Sequence, residues 1–283
     1  MRISIAAMTD VGKVRSHNED AFVAVDLGDP QWRVPSDSDA ELELSEHGAL
    51  LAVSDGMGGA KAGELASSLT IAALVREMRE LPVAEAPHLL QEAVEQVNEQ
   101  VAAAAQSRDR EGMGATLTAA WVRGAEAFIA HVGDSRAYLV RAGLMHQITK
   151  DQSYLQMLLD SGAVSAAETA AFPYRSVILQ AIGTSATVRA ALYRVALCKH
   201  DRLLLCSDGL SSYVDARDIL AAARGSAGLS SLCAQLVALA NGKGGEDNVT
   251  VVLAEFDGQE LHEPEDGLEL SNSIETLDAE KHG

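Results

Sequence analysis

Residues 48–66 read GALLAVSDGMGGAKAGELA. The run Ala49-Leu50-Leu51-Ala52-Val53 is apolar without alternation, which predicts a strand buried on both faces. A carboxylate, Asp55, stands where that strand ends. Three glycines follow (Gly56, Gly58, Gly59), and then a helical pattern starts. Residues 201–215, DRLLLCSDGLSSYVD, repeat the arrangement, with Asp208 ending a second apolar run. An ionised Asp at the mouth of a buried strand is costly unless something positive meets it. Asp-Gly is also a favoured turn pair. Asp257-Gly258 and Asp266-Gly267 need no further explanation, and one S-D-G would be read the same way. Two of them, each closing a buried strand, ask for more.

Outward from these stretches, RISIAAM (2–8), AFVAVDL (21–27), TLTAAWV (116–122), ALYRVAL (191–197) and NVTVVLAEF (248–256) read as strands. AFIAHVGD (127–134), AYLVRAG (137–143) and LMHQI (144–148) follow too closely for intervening helices and predict an antiparallel meander. A helix over 61–80 places Leu65, Leu69, Ala72 and Val75 on one face. A second over 88–105 does so with Leu90, Val94, Val97 and Val101. A third pair is expected at 215–224 and 229–241, where Leu236, Val237 and Leu239 would be core. Strands and helices come in blocks without regular βαβ alternation, so the fold class is α+β, antiparallel sheets sandwiched between helices. Residues 28–48, with two prolines and many acids, are expected to form a long loop or extended hairpin. Residues 257–283 carry nine carboxylates against one lysine and read as a solvated, disordered tail, a docking role being the alternative.

Composition bounds the function. The chain has 283 residues, 47% hydrophobic and 22% charged, ordinary for a globular protein. A net charge of −19 argues against general affinity for nucleic acid or anionic membranes. It leaves room for a phosphorylated substrate, because one local arginine can outweigh the average field. The three cysteines include no CxxC, and Cys198 and Cys206 fall in or beside apolar strand patterns, as buried thiols in a reducing compartment would. The first residues are interrupted too soon for a signal peptide, and no apolar run approaches the about 20 residues of a membrane span. The expectation is a cytoplasmic protein.

Further acids sit at strand ends. VGDSR (132–136) places Asp134 there, GGEDNVTVV (244–252) places Asp247 before the last strand, and HNEDAFVAV (17–25) places Glu19 and Asp20 before the second. If these five regions converge, the cluster would repel itself without a cation. Oxygen donors from Asp, Glu and a backbone carbonyl suit Mg²⁺ or Mn²⁺ rather than zinc. The glycine after Asp55 would let its carbonyl approach a metal. The eight histidines are scattered, without zinc spacing.

Taken in order, R-S-H-N-E-D, S-D-G-M-G-G, G-A-T-L, V-G-D-S-R, S-D-G-L and G-G-E-D-N-V-T resemble the PPM/PP2C family of metal-dependent serine/threonine protein phosphatases, closest to its bacterial branch. The motifs run from Arg15 to Thr250. The resemblance implies a four-layer αββα sandwich with two central antiparallel sheets. The phosphatase domain would span residues 1–256, with residues 151–184 as a mobile flap. It implies two Mn²⁺ or Mg²⁺ ions at one end of the sheets. Asp55 would bridge both, the Gly56 carbonyl would bind one, and Asp208 and Asp247 would hold the other. Glu19 and Asp20 match the family's pair beside the site, and Asp134 the acid of a weaker third metal. Arg15 matches the phosphate-binding arginine, whose fork can grip two phosphate oxygens at once. The reaction implied is attack of a metal-bridging water on phosphoserine or phosphothreonine in proteins, with no phosphoenzyme, reversing a bacterial Ser/Thr kinase. Partners would be phosphoproteins, and the chain a monomer.

Some positions depart from the family. Met57 stands where animal members have a histidine general acid, and a thioether cannot donate a proton. Ser212 stands where many members carry another acid near the third metal. Phe172 replaces His in an H-P-x-R of the flap. Asp151 in K-D-Q-S reads as a loop cap, and His131 as a packed, hydrogen-bonded histidine. N-G-K-G-G (241–245) lacks the nucleotide-cradle pattern, and Ser54 and Ser207 lack the context of a serine hydrolase. Two rivals stand beside the main reading: a phosphatase of the anti-sigma-antagonist type, and an inactive phosphoprotein-binding module. The second is disfavoured by the presence of Asp55, Asp208 and Asp247.

Overall fold

Continuous apolar strands need cover on both faces, and the computed structural model shows what supplies it. It describes residues 1–81, 87–107, 110, 112–165, 168–169, 172–174, 176–225, 227–264 and 273–277. In chain order the strands are β1 (Arg2–Asp10), β2 (Asp20–Asp26), β3 (Ser38–Glu43), β4 (Ala49–Met57), β5 (Gly114–Ala115), β6 (Leu117–Arg123), β7 (Glu126–Val132), β8 (Arg136–Arg141), β9 (Leu144–Gln147), β10 (Ala191–Ala196), β11 (Arg202–Cys206), β12 (Val249–Asp257) and β13 (Ile274–Leu277). The helices are α1 (Ala60–Glu80), α2 (Pro87–Ala104), α3 (Tyr154–Asp160), α4 (Asp208–Ser211), α5 (Ala216–Ala223) and α6 (Leu229–Gly242). One sheet has the order β3-β1-β12-β11-β8-β9 and the other β13-β10-β7-β6-β4-β2, with β5 paired to β4. Every ladder between these strands is antiparallel.

Three apolar cores separate four layers. Leu51 and Val53 of β4 face Val252, Ala254 and Phe256 of β12 between the sheets. The alternate residues Leu50 and Ala52 pack under α1 and α2, with Leu74, Leu90, Val94, Val97 and Val101. Val249, Val251 and Leu253 of β12 pack under α4, α5 and α6 with Leu210, Ile219, Leu232 and Leu236. A strand between two such layers has no solvent face, so alternation vanishes from its sequence. The expected αββα sandwich is the fold.

Several details differ from the sequence reading. The chain does not continue as one meander through 127–148. β7 belongs to one sheet and β8 to the other, and the chain changes sheets at Gly133-Asp134-Ser135. Gly133 makes that turn with φ 104°. Residues 38–43 form an edge strand on β1 and bury Leu42, so the 28–48 segment is more than a loop. On α1 Leu65, Leu69 and Val75 pack partly buried against the core as expected, the fully buried positions include Ala62, Ala66, Thr70, Ala73, Leu74 and Met78, and Ala72 is exposed. Cys206 and Cys233 are buried but Cys198 only partly. The tail is not wholly solvated: Leu261 is buried, and β13 adds an edge strand to β10. The other residues of the expected tail, 265–272 and 278–283, lie outside the described residues.

Candidate metal centre

The two S-D-G stretches meet at one end of the sandwich, the first within the last residues of β4, which runs on to Met57, and the second directly after β11. Each serine fastens a strand end to a neighbour. Ser54 donates to the Thr116 carbonyl at 2.7 Å. Ser207 donates to Asp20 Oδ2 at 2.7 Å and accepts the Thr250 N–H at 2.9 Å. Each glycine permits a close backbone approach. A Cβ on Gly56 would lie 2.0 Å from the Gly63 carbonyl oxygen of α1, and one on Gly209 would lie 1.9 Å from the Asn248 carbonyl oxygen. The sequence reading gave Gly56 a metal-facing carbonyl; the geometry gives it, in addition, the role of admitting α1.

The acids arrive from five segments. Asp20 and Asp55 stand directly opposite each other in the β2–β4 ladder. Like charges in that relation destabilise a sheet. Asp208 opens α4, Asp134 lies on the turn between sheets, and Asp247 precedes β12. Burial pushes Asp55 well above the usual carboxylate range, and repulsion from Asp20, Asp208, Asp134 and Asp247 adds to it. Asp20, Asp134 and Asp208 are raised in the same way, by burial first and then by neighbouring acids. Glu19 is raised by burial, with Arg15 opposing.

Two arginines meet this cluster, Arg136, which Asp151 grips, and Arg15. Arg15 is the one that touches the acids directly. Its Nη2 donates to Asp247 Oδ2 at 2.9 Å, and its Nη1 lies 4.0 Å from Glu19 Oε1. It remains half-exposed and faces the groove. That groove has two lobes, of about 650 and 300 Å³, and Arg15, Asp134, Ser176 and Asp208 line both. Met57 lines the smaller lobe beside Asp55 and Gly56, and Ser212 lines the larger. All eight residues singled out from the sequence (Arg15, Glu19, Asp20, Asp55, Gly56, Asp134, Asp208, Asp247) therefore gather at one end of the sheets.

The donor chemistry fits a divalent cation. Oδ1 of Asp20 and Oδ1 of Asp208 are buried and have no hydrogen-bond partner. Buried carboxylate oxygens left bare in a self-repelling cluster are what hard cations satisfy. As the side chains stand, no three acid, histidine or cysteine groups among the described residues close on a single point.

Other residues resolve differently from their sequence reading, or were not singled out. Asp151 does not act as a loop cap; it grips Arg136 through two bonds, Nε to Oδ1 at 2.8 Å and Nη2 to Oδ2 at 2.7 Å. Ser153 caps α3 instead, accepting the Gln156 N–H at 3.2 Å. His131 is fully buried, with Nδ1 3.0 Å from Thr118 Oγ1, and burial lowers its pKa to about 4. Phe172 packs between Tyr154 and Tyr174, each ring centroid 6.1 Å away. Thr116 was quoted only as part of G-A-T-L, yet its Oγ1 accepts the Asp55 N–H at 2.9 Å and meets Ser135 Oγ at 2.7 Å. Thr116 lies between β5 and β6, and its place in the quoted motif was the only available signal.

Comparison with known proteins follows the same line. The family profile described as protein phosphatase 2C matches residues 35–253. A serine/threonine phosphatase stp of Listeria innocua is 34% identical over 252 residues, covering 87% of this chain and 93% of that one. The serine/threonine protein phosphatase PstP of Mycobacterium tuberculosis is 40% identical over 252 residues, covering 88% of this chain but 44% of that one. A crystal structure of the catalytic domain of PstP in complex with two manganese ions superposes with a TM-score of 0.73 at 37% identity, covering 90% of this chain and 99% of that one. With a family profile matched over most of its length and relatives of this identity, the chain belongs to the bacterial protein phosphatase 2C family.

Proposed function

We propose that the chain is a divalent-metal-dependent phosphatase that hydrolyses phosphoserine and phosphothreonine in proteins. The observation that carries the reading is the convergence of five acid-bearing segments on a groove whose rim presents Arg15. Asp55, the Gly56 carbonyl, Asp208 and Asp247 are the residues proposed to hold two Mn²⁺ or Mg²⁺ ions. Glu19 and Asp20 support them, and Asp134 would serve a third, weaker site. When bound, such ions supply Lewis-acid charge that acidifies a water and neutralises phosphate oxygens.

The chain's own residues do the rest. Arg15 keeps a free edge of its guanidinium toward the groove, where it can bind two phosphate oxygens and orient phosphorus. Asp247 aligns Arg15 from behind. Ser207 and Thr116 hold Asp20 and the Asp55 backbone in place. Met57 offers no proton, so the leaving serine or threonine oxygen takes its proton from water in the groove. We assign the phosphatase domain to residues 1–256 and extend it to β13. We further propose that it acts as a monomer in the cytoplasm and opposes a serine/threonine kinase. Among the described residues, no helix is long and apolar enough to cross a membrane.

The test is phosphate release from a phosphothreonine peptide, with Mn²⁺ and with EDTA, for the wild type and Asp208→Ala. Metal-dependent release that the substitution abolishes is expected. A folded wild type that releases nothing with any divalent metal would leave the phosphoprotein-binding module as the reading.

A further inference from the structure

Asn248 follows Asp247 and is 4% exposed. Its side chain spends its hydrogen-bonding capacity on the segment that carries Arg15 and Glu19. Nδ2 donates to the carbonyl oxygens of Val11 and His17, both at 2.9 Å. Oδ1 accepts the Glu19 N–H at 2.8 Å. Only an amide offers two donors and an acceptor in this geometry. The Glu19 carbonyl in turn accepts the Gly56 N–H at 3.1 Å. The Asn248 carbonyl oxygen is the atom that forbids a side chain on Gly209, next to Asp208. Its own N–H donates to Asp247 Oδ1 at 2.9 Å. One residue thus touches, directly or through one bond, the segments of Arg15, Glu19, Gly56, Asp208 and Asp247.

The loop it holds is largely open to solvent. Val11 and Val14 are exposed, and Arg15 is half-exposed. The other main fastening is the Gly245 carbonyl, which accepts the N–H groups of Lys13 and Val14 at 2.7 and 3.2 Å. Gly12 passes so close to the Asp247 carbonyl oxygen that a Cβ would lie 2.3 Å from it. Without Asn248 the backbone of residues 13–17 would keep the Gly245 carbonyl, with the Gly12 N–H on Asp10 Oδ1 at 2.8 Å and Asn18 Nδ2 on Thr9 Oγ1 at 2.8 Å at its two ends, and Arg15 would keep its bond to Asp247.

We propose that Asn248 is a positioning residue for phosphate recognition: it clamps residues 11–19 against the Asp247 turn and so sets where Arg15 stands relative to the acid cluster. This rests on the phosphatase reading above for its effect on turnover. The clamp itself does not.

The test uses Asn248→Leu, which keeps the shape and uncharged character of the side chain and removes all three bonds. Hydrogen exchange of the full chain should show the amides of Lys13, Val14 and Glu19 exchanging at least about tenfold faster, with the central strands unchanged. With Mn²⁺ and a phosphothreonine peptide, KM should rise about tenfold with a smaller change in kcat. In an Arg15→Ala background the same substitution should change KM less than about twofold, because the group it positions is gone. Unchanged exchange at residues 11–19 in a folded variant overturns the clamp. An equal KM penalty in both backgrounds overturns the route through Arg15. If the wild type releases no phosphate, the phosphatase reading falls and the exchange measurement decides the clamp alone. Should Asn248→Leu fail to fold, Gly12→Ala displaces the same loop with Asn248 intact, and an unaltered KM there counts equally against the proposal.

Discussion

Asp20, the first residue of β2, faces Asp55 near the end of β4 across their ladder, and both are drawn toward the protonated form by burial and by their neighbours. An acid whose folded pKa is raised takes up protons more readily in the folded state. It therefore costs stability at neutral pH, and the cost is relieved as pH falls toward its unfolded value. Replacing Asp208 by Asn removes one charge from this cluster. Without metal, Asp208→Asn should raise stability by about 1 kcal/mol, read as a higher urea midpoint in EDTA. With Mn²⁺, its phosphate release should fall at least about a hundredfold. A lower midpoint would count against the repulsion. His131 has the opposite sign. Its folded pKa is lowered to about 4, so it stays neutral while the unfolded chain's histidine protonates. Stability is lost as pH falls from about 6.5 toward 4. Between pH 7 and 5 the wild type should lose about 2 kcal/mol more than His131→Gln by chemical denaturation. Equal losses would place the pH response elsewhere.

At the scale of elements, α1 sits closer to the acid cluster than its apolar pattern indicated. Gly63 on α1 lies against Gly56 and Glu19, where a Cβ would be 2.0 Å from Glu19 Oε2 and 3.0 Å from the Gly56 carbonyl oxygen. The Glu19 side chain can yield; the Gly56 backbone cannot. Gly63→Ala should cost about 1–3 kcal/mol in thermal unfolding and lower phosphate release together. Full stability and full activity would show that α1 has room to shift. The far end behaves differently. Arg141, 4% exposed, makes a bidentate pair with buried Asp201 at 2.6 and 2.7 Å and reaches Ser273 just before β13. That charged pair needs its remaining donors satisfied, which Ser273 and the Ala196 carbonyl do. Deleting residues 273–283 should cost about 1–2 kcal/mol of stability and leave kcat within about twofold, because β13 packs on β10 and lines neither lobe of the groove. A large loss of kcat in the folded truncation would tie this edge to the site.

For the whole molecule, a chain of net charge −19 that gathers acids at one end is built to gain stability from cations. At Mn²⁺ a hundredfold above its dissociation constant, linkage stabilises by about 2.7 kcal/mol, which is about 5–10 °C in Tm for a domain of this size. EDTA should reverse the shift, and Asp208→Asn should lose most of it. An equal shift in the variant would mean that the ions bind the surface at large.

The long apolar runs and their terminal acids were legible because a strand covered on both faces must be apolar throughout, and any charge it carries must wait for its end. That reasoning found the central strands, α2, α5, α6 and the residues that gather at the groove. It did not find that β7 and β8 lie in different sheets, because a short turn reads the same whether it returns to its own sheet or crosses to the next. It placed the α1 face only approximately: Leu65, Leu69 and Val75 do pack against the core, but Ala72 is exposed while Ala66 and Thr70 are fully buried. It quoted Asn248, Thr116 and Ser135 within motifs but gave them no role, since a hydrogen-bond hub is defined by partners far apart in sequence. The kinds of group needed at the site follow from local chemistry and are written in the chain. Their mutual positions depend on which strand ends the two sheets bring together, and only long-range pairing decides that.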